Sequence, residues 1–292
     1  MASEVPEMTE DANGDKFWRV DGKFHREDGP AKVYANGSMV WCINGLIHRE
    51  DGPAMILTGA PDQDLGHLPP TNYLHPAEMW YINNKLHRTD GPAVICAGTR
   101  EWWRDGKRHR EDGPAVEFAN GACRYYINDE LHRIDGPAVI HLGGGGEPCD
   151  SGPTMQYNIQ CIMYAWHVNG KLHRIGGPAV VYSTGEQLWY CNGVIHRDDD
   201  QPARITQHGT KIWYLHGVQR RINGGPAVLF ANGDRAMTTS SPRITQAAWQ
   251  AREDRSSEES AIARAMHETI SFYTGVYPVV SRFIDLIVQM TI

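Results

Sequence analysis

The chain has 292 residues, a formal net charge of −7 and a hydrophobic fraction of 41%. That length allows one or two ordinary domains or one elongated array. The negative charge argues against nucleic-acid binding, which needs clustered Lys and Arg. No run of 18 apolar residues is present, so we expect no transmembrane segment. The acidic N-terminus lacks the apolar core of a secretory signal, which predicts a cytoplasmic protein that is not secreted.

Residues 1–16 are predicted to form a disordered or extended acidic arm, and residues 17–235 a repeat array. The string HRxDGPA recurs with a period of 22 to 24 residues. Two longer gaps contain insertions near residues 58–75 and 141–160. A fixed period of this length indicates an array of like units. The copies begin at His25, His48, His87, His109, His132, His173 and His196, and a last echo, RRINGGPA, begins at Arg220.

Each unit also carries an aromatic residue four positions before a turn residue. That turn residue is Gly in six units and Asn84 or Asp129 in the others, which are the non-glycine types that best tolerate positive φ. The residue before it is Asp or Asn in seven units, a type I′ hairpin signature. We number the units 1 to 8 by their aromatic residues, which are Trp18, Trp41, Trp80, Trp102, Tyr125, Trp166, Trp189 and Trp213.

Short segments rich in Val, Ile, Tyr and Trp lie between the turns, and a second turn signal such as Asn36-Gly37 follows most motifs. Each unit is therefore predicted to be a β-hairpin. The fold class is mainly β, an elongated antiparallel meander of about eight stacked hairpins with a short helical C-terminal segment. Within HRxDGPA we expect Asp to accept backbone hydrogen bonds, Gly to supply φ freedom, Pro to start a strand, and Ala to allow a close neighbour.

The segments Trp18 to Gly37 and Trp102 to Gly121 resemble MORN repeats, in which an aromatic residue precedes N-G-K-x-H and a short β run ends in N-G. The longer HRxDGPA form resembles the variant repeats multiplied in large DNA viruses of protists. It is similar, more loosely, to repeats of bacterial immunity proteins. The resemblance covers residues 17–235 and implies an extended sheet with a role in scaffolding and protein association. Such a role includes a minor virion or capsid-associated protein, which would place the chain in a virion.

The repeated histidines and arginines allow a chemical and a structural interpretation. The histidines could form a metal or proton ladder, but one histidine per hairpin forms a row and does not supply converging zinc ligands. We favour hydrogen bonding of each imidazole to its local turn, with packing on a neighbouring unit. The arginines could bind phosphates, but each has an acidic neighbour in most units, which favours neutralised pairs and stems packed on aromatic rings.

No catalytic, metal or cofactor site is predicted. The aromatic column could stack bases, but no basic groove accompanies it, so packing is favoured. The six cysteines are scattered and are expected to be free thiols. Gly143 to Gly146 lacks the residues that follow in a phosphate-binding loop. An enzyme with a site near the insertion residues His67, His75 or His141 is the third-ranked hypothesis.

Residues 241–292 are predicted to form a helical C-terminal segment. Ser256 and Glu259 form a capping-box pattern, which predicts a helix over residues 256–274. The segment either caps the last hairpin or docks into a partner as an amphipathic helix. The predicted partner-binding residues are Phe283, Ile284, Ile287 and Val288.

The favoured functional hypothesis is a non-enzymatic structural scaffold that binds other proteins, with self-association as a further possibility. The alternative is an immunity or inhibitor protein that binds and neutralises an enzyme.

Overall fold

The structure is a computed structural model. It describes residues 5–58, 76–142, 163–241 and 243–248, with residues 250, 251, 254, 255, 258 and 261 after them. Both predicted insertions therefore lie outside the described residues, apart from Thr58, His141 and Leu142. The same holds for Phe283, Ile284, Ile287 and Val288, for His67 and His75, and for Gly143 to Gly146.

Short strands make up most of the described chain. In chain order they are β1 Glu7–Glu10, β2 Lys16–Val20, β3 Lys23–Phe24, β4 Lys32–Val33, β5 Met39–Val40, β6 Cys42–Ile43, β7 Leu46–Ile47, β8 Met55–Leu57, β9 Ala77–Met79, β10 Tyr81–Ile82, β11 Lys85–Leu86, β12 Val94–Cys96, β13 Thr99–Glu101, β14 Trp103–Arg104, β15 Lys107–Arg108, β16 Val116–Glu117, β17 Cys123–Arg124, β18 Tyr126–Ile127, β19 Glu130–Leu131, β20 Val139–His141, β21 Met163–Ala165, β22 His167–Val168, β23 Lys171–Leu172, β24 Val180–Tyr182, β25 Gln187–Leu188, β26 Tyr190–Cys191, β27 Val194–Ile195, β28 Arg204–Ile205, β29 Lys211–Ile212, β30 Val228–Leu229 and β31 Arg235–Ala236.

Nineteen of these strands form one antiparallel sheet, the meander sheet, which confirms the predicted fold class. Each strand pairs with its sequence neighbours in the sheet. The order is β1, β2, β4, β5, β8, β9, β12, β13, β16, β17, β20, β21, β24, β25, β28, β29, β30 and β31, with β3 also paired to β2.

Six two-stranded hairpins form a second row beside the meander sheet. They are β6–β7, β10–β11, β14–β15, β18–β19, β22–β23 and β26–β27. All eight turns of this row, including those of units 1 and 8, have positive φ at both central residues, from Asp21 (φ 49°) and Gly22 (φ 74°) to His216 (φ 48°) and Gly217 (φ 82°). The predicted type I′ turns are therefore confirmed, including those that use Asn84 and Asp129.

One face of the meander sheet forms the core, because the short hairpins pack against it. The largest cluster joins Met55, Met79 and Val94 of the sheet to Cys42 and Tyr81 of the hairpins. The alanine after each motif proline is at most 1% exposed, which confirms that this position needs a small side chain. These alanines are Ala31, Ala54, Ala93, Ala115, Ala138, Ala179, Ala203 and Ala227.

Strands β1 and β31 form the two edges of the meander sheet. Strand β1, within the predicted N-terminal arm, pairs along β2 from Glu7–Arg19 to Glu10–Lys16, and its own residues are exposed. At the other edge Ile244 forms an isolated bridge with Arg235 of β31.

Helical residues follow this bridge and begin at Gln246. The Thr245 Oγ1 accepts a hydrogen bond from the Ala248 amide (3.2 Å), which is N-cap geometry. Asp254, Arg255 and Glu258 are also helical. The helix start predicted at Ser256 is therefore wrong, because Thr245 caps the helix about ten residues earlier. Among the described residues, no helix combines the length and hydrophobicity needed to cross a bilayer.

His167 is an exception in the core. It occupies the position that is Tyr81, Tyr126 or Tyr190 in other units, and it is 7% exposed. Its Nδ1 is buried without a hydrogen-bond partner. Burial lowers the pKa of His167 to about 4, because the charged imidazolium is poorly solvated there.

We predict that His167→Tyr removes a loss of folding stability that the buried histidine causes at low pH. An unfolded histidine binds a proton below about pH 6.5, whereas the folded one resists protonation until about pH 4. Folded-state stability is therefore lost as pH falls through this window, by about 2 to 3 kcal/mol between pH 7.5 and 4.5. Urea unfolding of the unchanged chain and of the His167→Tyr variant at these two pH values measures the free energy of unfolding of each. The difference between the two proteins should change by this amount, in favour of the tyrosine variant, between pH 7.5 and pH 4.5. A difference that does not change with pH would contradict the assignment.

Candidate functional site

The arginine of each motif is held in a contact that we call the arginine clamp. It consists of the unit's aromatic ring, the arginine guanidinium and, in six units, the glycine of the Asp-Gly or Gly-Gly pair. The guanidinium carbon lies 3.8 to 4.5 Å from the aromatic centroid in all eight units, from Arg26 over Trp18 to Arg221 over Trp213. This distance is typical of cation–π stacking.

The other face of the guanidinium lies against the motif glycine. A Cβ at this position would lie 2.8 to 3.1 Å from the guanidinium carbon at Gly29, Gly52, Gly91, Gly113, Gly136 and Gly177. None of these glycines has positive φ. The prediction that they supply φ freedom is therefore wrong. The position needs glycine because a side chain would displace the arginine from the ring.

The clamp is completed by hydrogen bonds. In units 1 to 7 the arginine Nη1 donates to the carbonyl oxygen of the motif proline, at 3.1 to 3.5 Å. In units 1 to 5 its Nε also donates to the motif aspartate two residues later, at 2.8 to 3.0 Å. This hydrogen bond lowers the pKa of each of those exposed carboxyls. The predicted neutralised arginines are confirmed there.

Unit 6 separates these contributions. Its motif is HRIGGPA, so Gly176 replaces the aspartate, yet Arg174 keeps its stack on Trp166 (3.8 Å) and its bond to the Pro178 carbonyl (3.1 Å). In unit 8, Arg221 instead pairs with Asp200, at 2.8 Å between Nη2 and Oδ2. The stack of the arginine on the aromatic ring and its bond to the proline carbonyl are therefore shared by more units than its ion pair with the motif aspartate.

The histidines connect each unit to the next. Their Nδ1 atoms lie 2.9 to 3.0 Å from the side-chain oxygen of Asn44, Asn83, Asp105, Asn128 or Asn169, each at the first turn position of the following unit. The backbone N–H of this first turn position donates to Nδ1 at 3.1 to 3.2 Å in three of these pairs, and at 3.2 to 3.3 Å in two further joints, Asn192 to His173 and His216 to His196. The partner is the next unit's turn and not the local turn, which corrects one part of the prediction.

Backbone bonds complete this connection, which we call the joint. The amide of the second turn residue donates to the strand-end carbonyl of the preceding unit at 2.8 to 2.9 Å. Its seven examples are Gly45 to Phe24, Asn84 to Ile47, Gly106 to Leu86, Asp129 to Arg108, Gly170 to Leu131, Gly193 to Leu172 and Gly217 to Ile195. At the last joint His216 replaces the usual Asn or Asp and stacks on His196, with centroids 4.3 Å apart.

The repeated side chains are thus engaged within the array and do not converge. Across the ranges that the structure describes, no group of three or more His, Cys, Asp or Glu residues could hold a metal ion. His141, which the sequence places at an insertion, ends strand β20 and is 5% exposed. Of the cysteines, Cys42, Cys96, Cys123 and Cys191 are described, and all four are free.

The outer row is the surface that runs the length of the meander sheet on the face opposite the core. Its members are cross-strand partners, exposed or partly exposed. They are Val33, Met39, Ile56, Glu78, Ile95, Arg100, Glu117, Cys123, Ile140, Tyr164, Val181, Gln187, Ile205, Lys211, Leu229 and Arg235. Apolar members are interspersed with charged ones. Sequence reasoning missed this row because its members differ from unit to unit.

No protein-family model matches the sequence, and no curated protein matches it either. The resemblance to MORN repeats therefore stays a prediction, whereas the hairpin meander itself stands on the strand pairing.

We predict that Gly113→Ala destabilises the fold whereas Gly225→Ala does not. At Gly113 the new methyl would lie 2.9 Å from the Arg110 guanidinium carbon. The arginine can move only by giving up its contacts with Trp102, the Pro114 carbonyl or Glu117, at a cost of about 1 to 2 kcal/mol. Gly225 is the matched control in unit 8, since its nearest atom is Arg221 Cδ at 4.0 Å. There alanine should be neutral or stabilise by roughly 0.4 to 1 kcal/mol. Urea unfolding measures both, and equal stabilities of the two variants would refute the close-packing argument.

Proposed function

We propose that the protein is a non-enzymatic scaffold that holds other proteins along an extended β array. One observation carries this proposal: the repeated histidine, arginine and aspartate side chains form the clamps and joints that hold the array together. Groups already bonded to backbone carbonyls and turn residues are poor candidates for acid–base or nucleophilic chemistry.

The outer row supports an interaction role. Apolar groups such as Met39, Ile56 and Ile95 are only partly buried and stand near charged Glu78 and Arg100. A surface that mixes apolar and charged groups in this way is typical of protein–protein interfaces that form between separately folded partners. The meander sheet holds these groups in fixed register, so a partner would meet a preorganised surface.

The proposal retains the C-terminal residues Phe283, Ile284, Ile287 and Val288 as partner contacts, on the sequence argument alone. It also retains the assignment to a minor virion or capsid-associated component, which rests on the resemblance of the repeats to those of large DNA viruses. For that assignment, mass spectrometry of purified particles should detect the chain after external protease treatment, and its absence would remove the virion part.

We predict that changing the four C-terminal apolar residues to serine abolishes capture of specific partners. The full chain and this variant are compared by quantitative affinity capture from infected cells. The matched control carries Ile134→Ser and Ile175→Ser, which are 85% and 89% exposed on the repeat loops. Partners should be retained by the control and lost by the C-terminal variant. Retention by both would discard the C-terminal contact, and the absence of any specific partner for the unchanged chain would contradict the scaffold proposal.

A further inference from the structure

The two ends of the hairpin row present the two halves of one joint. Inside the chain the joint is made seven times, always between a turn of one unit and the strand end of the preceding unit. Unit 1 has a turn with no preceding hairpin, and unit 8 has a strand end with no complete following hairpin among the described residues. Each end of the row therefore carries one half of a joint whose other half is supplied by a neighbouring unit everywhere else in the array.

The free turn is Asp21-Gly22. In internal joints the second turn residue packs on the preceding unit, as Gly45 does on Lys23 (3.7 Å) and Gly106 on Lys85 (3.6 Å). At Gly22, by contrast, a Cβ placed on the glycine would have no neighbouring atom of the described residues within 4 Å. Asp21 is exposed and makes no ion pair with the described residues. The backbone of this turn nevertheless has the φ values of the joined turns, so the turn itself already has the joined conformation. Beside it Glu7 of β1 pairs with Arg19, the position that corresponds to Cys42, whose carbonyl accepts from the Arg26 amide in the first internal joint. A docking copy therefore meets the turn and not the strand next to it.

The free strand end is Val218 to Arg220. Val218 corresponds to Val194, on which Gly217 packs at 3.3 Å, and it is 60% exposed. Arg220 takes the place of the motif histidine, is exposed, and makes no ion pair within the described chain. A cavity of about 380 Å³ adjoins it, lined in part by Ile222 and Met237.

Among the described residues after unit 8, one turn contacts this end. Where a ninth hairpin would begin, a tight turn forms in which the Ser241 amide donates to the Thr238 carbonyl (3.2 Å). The Thr239 amide and hydroxyl both donate to Gln219 Oε1 (3.2 Å). Val218 remains 60% exposed beside this turn.

We propose that the chain associates with a second copy of itself, head to tail, through these two halves. The Asp21-Gly22 turn of one copy docks on unit 8 of the next. Gly22 packs on Val218 and its amide donates to the Gln219 carbonyl, as Gly217 does to Ile195 at 2.9 Å. The Asp21 carboxylate meets the Arg220 guanidinium in the place where internal joints pair histidine with Asn or Asp.

The occupant is a second copy because the interface repeats one that the chain already makes, and because the charges of its two halves are opposite. Inside the chain, the five side-chain pairs at the joints join a histidine to asparagine in four cases and to Asp105 in one. Between copies, the same position would hold an ion pair of Asp21 with Arg220. Such a heterologous contact does not close on itself and yields an open chain of molecules. The inference concerns self-association and does not depend on the proposed foreign partners.

The contact is expected to be weak. At the two ends of the meander sheet β1 already occupies the side of β2, and Ile244 bridges Arg235 of β31, so we expect the contact between copies to be confined to the hairpin row. The buried area should therefore fall below the roughly 1,200 Å² of stable complexes. Association should rise steadily with protein concentration and fall with added salt, since an exposed ion pair is screened.

We predict that charge reversal at either half disrupts this association and that reversal at both restores it. The full chain is studied by sedimentation velocity across a concentration series, together with Asp21→Arg, Arg220→Asp and the double variant. Each single change should raise the dissociation constant by about tenfold or more, because like charges then face each other. The double variant should return to within about threefold of the unchanged chain.

An equimolar mixture of the two single variants should also associate. The turn of the Asp21→Arg variant then carries a positive charge, and the strand end of the Arg220→Asp variant carries a negative one, so opposite charges meet at the junction. A mixture that stays as dissociated as either variant alone would contradict the pairing of these two halves.

The controls are Glu78→Arg and Lys211→Asp, which make the same charge changes at exposed positions of the outer row. They should associate like the unchanged chain. An unchanged chain that stays monomeric at every concentration overturns the inference. So does association that survives both single reversals, or that the controls disrupt equally.

Discussion

The array depends on one local contact, the arginine clamp. Its guanidinium carbon is 3.8 to 4.5 Å from an aromatic centroid in every unit. In units 1 to 7 the same group donates to the proline carbonyl. The clamp thereby ties the loop after each short hairpin to the residue that precedes that hairpin. A cation that stacks on a ring and satisfies a backbone oxygen stabilises the loop without any large apolar side chain.

The clamp and the joint act on different scales. The clamp fixes the fold of one unit, and the joint passes that geometry to the next through the imidazole and the turn amide. The third element is the buried alanine after the motif proline, which lets neighbouring strands pack closely. Because every unit uses these devices, stability is distributed along the chain as in other repeat proteins. The outer row is thereby held in register on the exposed face of the sheet.

Much of the fold is readable from the sequence. The eight aromatic-to-turn spacings predict the type I′ hairpins, and the periodic motif predicts their serial stacking. Arginine pairing with the motif aspartate was also predictable, since it lies within one unit. Packing on the aromatic ring was predicted for the arginine stem, whereas the guanidinium itself lies over the ring. Asn84 and Asp129 at the turn position show why the pattern is informative, because backbone geometry restricts that position to few residue types.

The remaining features depend on contacts that a repeat pattern does not encode. The role of the motif glycine was misassigned because a turn glycine and a close-contact glycine look alike in sequence, and only the Arg110–Gly113 approach separates them. The joint crosses from one unit to the next, so its partners depend on how the hairpins stack. The helix start was misplaced because Ser256 matches a capping box, whereas Thr245 makes the cap that is observed. The outer row and the free end of unit 8 have no repeated signature.

The most direct test of the central claim compares Arg88→Lys with Asp90→Asn in the same unit by urea unfolding. Lysine keeps the charge but loses the planar stack on Trp80 and the Nη1 bond to the Pro92 carbonyl, so its free energy of unfolding should fall by about 1 to 2 kcal/mol. Asparagine removes the charge of an exposed ion pair, and its free energy of unfolding should change by less than about 0.5 kcal/mol. If the asparagine variant proved the less stable of the two, the ion pair and not the clamp would hold the unit together.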